Sequence, residues 1–371
     1  MQIVYNIYIK NIIWAEAQIL EEWEENALSK KEKAASAAVA ADSGKKESKG
    51  IVGYFKRECA KFGKGKFLLI LMIPGIVYFA LFHYWPFYGL LAAFKDYKPK
   101  LGILGSPWAD NYGFAEFIRF FTIPDVWNYV WNTIVLSILH IIWLFPLAIL
   151  LALFINELRS AKFKKVVQTI SYLPHFVSVA AICGMLTLFL SSQQTPADAG
   201  SYANEGIINQ ILLKIGLIKQ GIPFLDRTEW FRTVYIASDV WASIGWSAIV
   251  YIAALSAVDQ ELYEAATIDG ASRIQKMWHI SVQLIKPTIV ILLVMQIGKI
   301  MSLGADKALL LQRPATYTKS QILSTYIYNQ GLTQGELSFS TAVGLFNSII
   351  NVILVVFANF LSRKLTDTGL F

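Results

Sequence analysis

Apolar residues in this chain gather into six long blocks, at about 67–94, 128–155, 166–190, 230–258, 284–303 and 339–361, with shorter polar stretches between them. A helix crosses a hydrocarbon core of about 30 Å with about 20 mostly apolar residues, so each block is long enough to span. The pattern predicts an all-α integral membrane protein of six transmembrane helices. Pro74 and Pro86 lie near the ends of the first, Pro174 near the start of the third, and Pro287 where the fifth begins.

The polar stretch between blocks four and five is longer than a connector needs. It reads "EAATIDGASRIQKMWHISVQLIKP" from Glu264 to Pro287. Val258, Leu262, Ala265 and Ala266 fall on one helical face, which predicts an amphipathic helix. Asp269-Gly270 ends it, since glycine tolerates the left-handed conformation of a helix C-cap. Ser272 is then an N-cap for a second short helix with Ile274, Met277 and Trp278 as its apolar contacts. Small alanines let another surface approach closely, and Glu264 sets a charge beside them. Asp259, Glu261 and Glu264 would be repelled by anionic lipid, so a protein partner fits this helix pair better than the bilayer surface.

Composition supports the membrane reading: 55% of the 371 residues are hydrophobic and 16% charged, with mean hydropathy +0.47, against about a quarter charged in soluble domains. The formal charge of +7 sits in short segments beside the spans rather than in a nucleic-acid-binding patch, and no nucleic-acid partner is expected. Lys and Arg are densest before block one, after block two (Arg159, Lys162, Lys164, Lys165), after block four and after block six (Arg363, Lys364). Those segments, both termini and the 258–282 loop are therefore expected in the cytoplasm of a cell-membrane, multi-pass protein. Residues 1–65 are expected to be a cytoplasmic tail, with Lys/Ala/Ser-rich low complexity over 30–50, and residues 66–371 the transmembrane domain. The outer loops, at roughly 95–127, 191–229 and 304–338, are long and rich in aromatics, which suits contact with an external partner or ligand.

Cys59 and Cys183 make no disulfide framework, and His83, His140, His175 and His279 have no metal-ligand spacing. No "GxxxxGK[ST]" occurs, so the chain has no P-loop and no ATP hydrolysis of its own by that route. With no catalytic cluster either, it is not expected to be an enzyme or to hold a cofactor. Polar and aromatic residues within spans are candidates for a solute pathway: Asn132, Tyr235, Asp239, Trp241, Trp246, Gln296, Lys299 and Asn347. Ionisable groups in spans face the bundle interior or a cavity. Asp239 and Lys299 are candidates to pair, or one of them to meet a charged group of the solute. For each candidate an interhelix contact is the competing and commoner role. Trp127, Trp131 and Trp230 sit at span ends as interface anchors.

The "EAA…DGA" pattern, followed some nine residues later by Ile280, resembles the EAA loop of permease subunits in bacterial ABC importers. That resemblance implies that Glu264, Ala265, Ala266, Asp269, Gly270 and Ala271, with Met277, form the coupling element that docks into an ATPase subunit. The family's usual Pro soon after the Ile is absent here; the run is Ile280-Ser281-Val282-Gln283, with Pro287 later. "YGLLAAFKDYKPKLGILGSPW", "VVQTISYLPHF", "GIINQILLKIG", "LSTYIYNQGL" and "FSTAVGLFNSIINVILVVFANFLSRKL" are similar to the carbohydrate-importer branch, nearest the permeases for complex oligosaccharides. The likeness covers about residues 66–371. It implies a second permease subunit, two ATP-binding subunits carrying ATP-Mg, an extracellular or periplasmic solute-binding protein and an oligosaccharide as substrate. The loop itself does not report the solute, so an importer for another solute stays open, as does a secondary transporter that needs no ATPase.

Overall fold

The structure, a computed structural model, describes residues 66–198 and 200–366. The expected tail over 1–65 lies outside them. Elements among the described residues are helical, and extended pairing is confined to two isolated bridges, Lys95–Trp108 and Pro196–Gln220. Among the described residues, five helices are long and apolar enough to cross a membrane: Ile70–Phe94, Val126–Asn156, Thr228–Ser256, Arg273–Ile297 and Leu337–Lys364.

The chain divides into two compact units at Trp85–Pro86. What is described of the first is one apolar helix, α1 (Lys66–Phe79), prolonged by a π turn over Ala80–Tyr84. Leu71, Phe82 and Trp85 are exposed on it, so its apolar residues point in several directions rather than to one core face. A helix apolar all round is suited to lipid or to burial in a larger assembly.

The second unit is organised by two helices, α3 (Val126–Asn156) and α7 (Thr228–Ser256), that run side by side in the same direction. At their beginnings Leu136 packs with Phe231, Tyr235 and Ile236; at their ends Ala148, Ala152 and Ile155 pack with Tyr251, Ile252 and Leu255. Between α3 and α7 in sequence come α4 (Ala161–Tyr172), α5 (Val179–Leu190) and α6 (Ile207–Lys214), and before α3 comes α2 (Ala115–Thr122). Gly245 lets α4 press directly on α7: a Cβ there would stand 2.0 Å from the Ser171 carbonyl oxygen. A third core group, Phe120, Val126, Met301, Leu323, Phe339 and Val343, joins α2, the start of α3 and the short helix α11 (Leu323–Tyr328) to α12 (Leu337–Thr366).

The third and fifth apolar blocks differ from their expected form. Residues 166–190 are not one straight span: Ala161–Phe176 and Val179–Leu190 meet at 94°. Pro174 lacks an N–H, Val177 is extended, and Ser178 starts a new helix by accepting from the Ala181 N–H at 3.2 Å. The fifth helix runs from Arg273 to Ile297 rather than over 284–303. Its start is set by a capping box between Ser272 and Gln275, and a π turn over Met277–Ser281 carries it into Val282–Ile297 without a break. The short helix expected after Gly270 is thus the first turn of the fifth span, designated α9. It ends where Gly298 abuts α12, since a Cβ at Gly298 would lie 1.9 Å from a Val355 methyl.

Candidate functional site

The polar stretch forms a sharp helix–turn–helix. Helix α8 (Gln260–Ile268) begins at Asp259, whose carboxylate accepts the Glu261 N–H at 3.0 Å. It closes with Gly270 at φ 77°. The Gly270 N–H donates to the Thr267 carbonyl and the Ala271 N–H to the Ala266 carbonyl, the bond pair of a Schellman motif. The second arm is tied back by Lys276 Nζ to Thr267 Oγ1 at 3.1 Å and by the Tyr263 and Ser281 hydroxyls at 2.8 Å. The angle between the arms holds a notch of about 290 Å³ lined by Ala266, Asp269, Gly270, Ala271, Gln275 and His279 among others.

Glu264, Ala265, Asp269 and Gly270 are exposed and Ala266 and Ala271 half-buried. Ile268 and Ile274, on either side of the turn, are 87% and 67% exposed, an unusual placement for two isoleucines in a polar segment. Met277 belongs elsewhere. It is 8% exposed and packs with Ile155, Tyr251, Leu255 and Ile285 in the core, so it supports the turn from beneath and offers no surface to a partner.

The pathway candidates scatter. Asn132 is buried and fully engaged: its Nδ2 donates to the Thr318 and Gln321 carbonyls at 2.9 and 3.0 Å, and its Oδ1 accepts from Arg232 at 2.8 Å. This is an interhelix contact, with no group left for a solute. Tyr235 is buried, and its carbonyl accepts from Lys307 Nζ at 2.7 Å. Trp241 lines a mostly apolar groove with Met185, Phe189, Ile208 and Trp230. Asn347 has an enclosed Oδ1 without a hydrogen-bond partner among the described residues. Trp246 and Gln296 do come together, with His140, Ser247 and Tyr251, around a cleft of about 160 Å³ between α3, α7 and α9. His175 stacks on Trp246, rings 4.5 Å apart and 7° from parallel.

The pairing of Asp239 with Lys299 does not occur. Lys299 is exposed in the turn after α9. Asp239 instead meets His140 Nδ1 at 2.5 Å and Lys307 Nζ at 3.2 Å. Lys307 comes from α10 (Ala305–Leu311), which folds back beside α5 and α7, and its ammonium also lies 4.5 Å from the Tyr235 ring centroid. A lysine this enclosed needs a carboxylate, and Asp239 supplies it; His140 occupies the second carboxylate oxygen and takes the cluster to the cleft wall.

A family model described as "Binding-protein-dependent transport system inner membrane component" matches residues 145–367. The chain belongs to this family. It is 42% identical to the polygalacturonan/rhamnogalacturonan transport system permease protein YteP of Bacillus subtilis (strain 168) over 316 residues, 85% of this chain and 94% of the relative. It is 39% identical to Protein LplB of the same organism over 312 residues, 84% of this chain and 93% of the relative. Its fold is similar to a chain in the crystal structure of a bacterial ABC transporter involved in the import of the acidic polysaccharide alginate. TM-score is 0.73 with 37% identity, covering 84% of this chain and 99% of that one. A bacterial alginate ABC transporter in complex with alginate pentasaccharide-bound periplasmic protein matches with TM-score 0.72 at the same identity and coverage.

The region that this transport family shares takes in the turn at 259–281, Asp239 and Lys307. His140, Lys307 and Arg232 were not legible as site residues of such a permease. A histidine in a span and a lysine just after one were visible signals, but their common partner was not. Among the described residues, no group of three or more His, Cys, Asp or Glu is placed to hold a metal ion.

Proposed function

We propose that this chain is a permease subunit of an ATP-driven importer that moves an oligosaccharide, delivered by an external binding protein, across the cell membrane. The observation that carries it is family membership together with over 80% coverage by permeases and transporters whose names specify polygalacturonan/rhamnogalacturonan and alginate. A fragment of a uronate-bearing polysaccharide is the substrate class these relatives favour. We read six spans, counting the bent pair as one, which sets both termini and the turn at 259–281 on one side; the Lys and Arg bias of the flanking segments favours the cytoplasm for that side.

The turn couples the chain to a separate ATPase subunit. Ile268 and Ile274 supply apolar contacts beside Glu264, Ala265, Asp269 and Gly270, with the notch behind Ala266 and Ala271. Because α9 runs unbroken from this turn to Ile297, a push on the turn moves Leu292 and Gln296 at the cleft as one body. The chain does no chemistry; ATP-Mg is bound and hydrolysed on two partner subunits under a pair of permeases, this chain and a second one.

The test is co-purification and ATPase assay of the complex in lipid nanodiscs, comparing wild type with Ile268→Asp. Ile268 is exposed, so the variant folds. Wild type that brings down an ATPase and a second permease, with the variant losing the ATPase, supports the reading. A chain that purifies alone and imports solute without ATP would return the secondary-transporter alternative.

A further inference from the structure

The loop between the first and second long helices is held more firmly than a connector requires. Lys95 is buried, and its Nζ donates to the Leu104 carbonyl at 2.9 Å and the Ser106 carbonyl at 3.1 Å. The Asp96 N–H donates to the Pro107 carbonyl and the Ala109 N–H to the Phe94 carbonyl, closing the loop on itself. Ser338, at the start of α12, donates to the Lys95 carbonyl at 2.6 Å and accepts from the Tyr97 N–H at 2.9 Å. The ammonium of Lys95 sits 5.3 Å from the Trp108 ring centroid.

On this clamp three consecutive residues take the left-handed conformation: Asn111 at φ 55°, Tyr112 at φ 59° and Gly113 at φ 89°. Gly113 suits this backbone: a side chain is strained at φ 89°, and its Cβ would come 3.0 Å from the Phe94 carbonyl oxygen. Tyr112 is not built for that backbone, since a Cβ disfavours it. No packing among the described residues compensates: Tyr112 is 100% exposed, and Trp108 beside it is 65% exposed. Backbone strain that holds an aromatic ring in solvent is characteristic of recognition surfaces.

The loop lies at the end of the unit where α7 begins. There Thr228 donates to the Ala315 carbonyl, Asn128 to the Thr318 carbonyl, and Ser338 to Lys95. Helix α7 then runs 29 residues, about 40 Å at 1.5 Å per residue, before the chain reaches the turn at Gly270.

We propose that Tyr112 and Trp108 form a docking knuckle for the solute-binding protein, an inference that rests on the importer reading above. Three observations select this occupant. The knuckle is at the end opposite the ATPase turn, where the solute is delivered. Lys98 is paired with Asp96 at 3.5 Å beside the exposed Trp108 and Tyr112 rings, an aromatic surface of the kind that forms protein-interface hot spots. A chain 37% identical to this one stands in a solved complex with a sugar-bound periplasmic protein. The clamp keeps the loop in one conformation before binding, which reduces the ordering cost of association.

The test is titration of the labelled, purified solute-binding protein encoded beside this permease onto the complete transporter in nanodiscs. Tyr112→Ala and Trp108→Ala are compared with Leu217→Ala, an exposed outer-loop control. The expected result is affinity weakened by about tenfold or more for the two knuckle variants, with basal ATPase activity and the control unchanged. Affinity of Tyr112→Ala within about twofold of wild type, a range set by near-neutral interface positions, would overturn the knuckle while leaving the importer reading intact. So would loss of the second permease from the Tyr112→Ala complex, which would make the loop a subunit contact. Absence of binding to the wild-type transporter overturns the importer reading itself.

Discussion

The turn at 259–281 and the cluster around Asp239 both place polar groups in a largely apolar protein, and they are assembled in opposite ways. In the turn nearly every bond joins residues a few positions apart: Asp259 with Glu261, Thr267 with Gly270, Ala266 with Ala271, Ser272 with Gln275. In the cluster, Asp239 is met by His140 from α3 and Lys307 from α10. The turn is therefore a local structure on a surface, where water satisfies whatever the chain leaves unbonded. The cluster exists only when three distant segments are packed, and the enclosed Asp239 carboxylate and Lys307 ammonium depend on each other for a partner away from water. Loss of one residue should be mild in the turn and severe in the cluster.

The largest expected effect is Asp239→Ala, which strands Lys307 and His140. We expect about 3 kcal/mol of destabilisation, read as a lower midpoint of thermal aggregation in detergent. Lys307→Met added to Asp239→Ala should recover much of it. A double variant no more stable than the single would mean that the ion pair is not what Asp239 contributes.

Gly270→Ala should cost about 1–2 kcal/mol, because only the backbone conformation resists it; no atom lies within 4 Å of a Cβ there. Its effect should be confined to hydrogen exchange in 260–276 and to the ATPase coupling proposed for this turn, with the cleft undisturbed. Spread of the faster exchange to Asp239 would show that the two regions are less separate than their bonding indicates.

Ser272→Ala removes one arm of the capping box and should cost about 1 kcal/mol. Faster exchange at the Gln275 amide, which donates to Ser272 Oγ at 3.3 Å, is the measurement. Unchanged protection there would mean that the tertiary ties at Lys276 and Tyr263 alone set the start of α9.

The smallest and most local effect concerns a third region, the loop at 191–222. Burial pushes the Glu205 carboxyl up, but the Thr195 and Gln193 N–H groups, at 2.7 and 3.0 Å, outweigh it and hold its pKa below the ordinary glutamate range. A lowered folded value means that Glu205 adds stability above the ordinary glutamate pKa and loses it as pH falls through the folded value. Limited proteolysis should find this loop opening first on acidification, and Glu205→Gln should abolish that pH dependence. Acid opening that persists in Glu205→Gln would assign it to another group.

Much of the frame was legible because it follows from neighbours in the chain. The apolar blocks marked the long helices, Gly270 the turn and Ser272 the cap, since capping and backbone conformation involve residues within a few positions. The break at Ser178 was also written locally, in Pro174 and a serine able to cap the helix that follows it, but continuous hydrophobicity over 166–190 masked it. The start of α9 was misplaced for a related reason: its first turns are polar on the exposed side, and Met277 and Ser281 are drawn into the core by helices from other parts of the chain.

By itself, then, the sequence determined membrane residence, the lengths of most helices and the local form of the turn, because hydropathy and capping act over short distances along the chain. Only the tertiary structure decided that Asp239 belongs with His140 and Lys307 rather than Lys299, that Asn132 is spent on an interhelix contact, and that Trp246 and Gln296 share a cleft. Those choices depend on which helices pack and at what height. In an apolar interior a charge or amide accepts whichever partner the packing brings within reach, and separations of a hundred residues leave no imprint of that choice in the order of the residues.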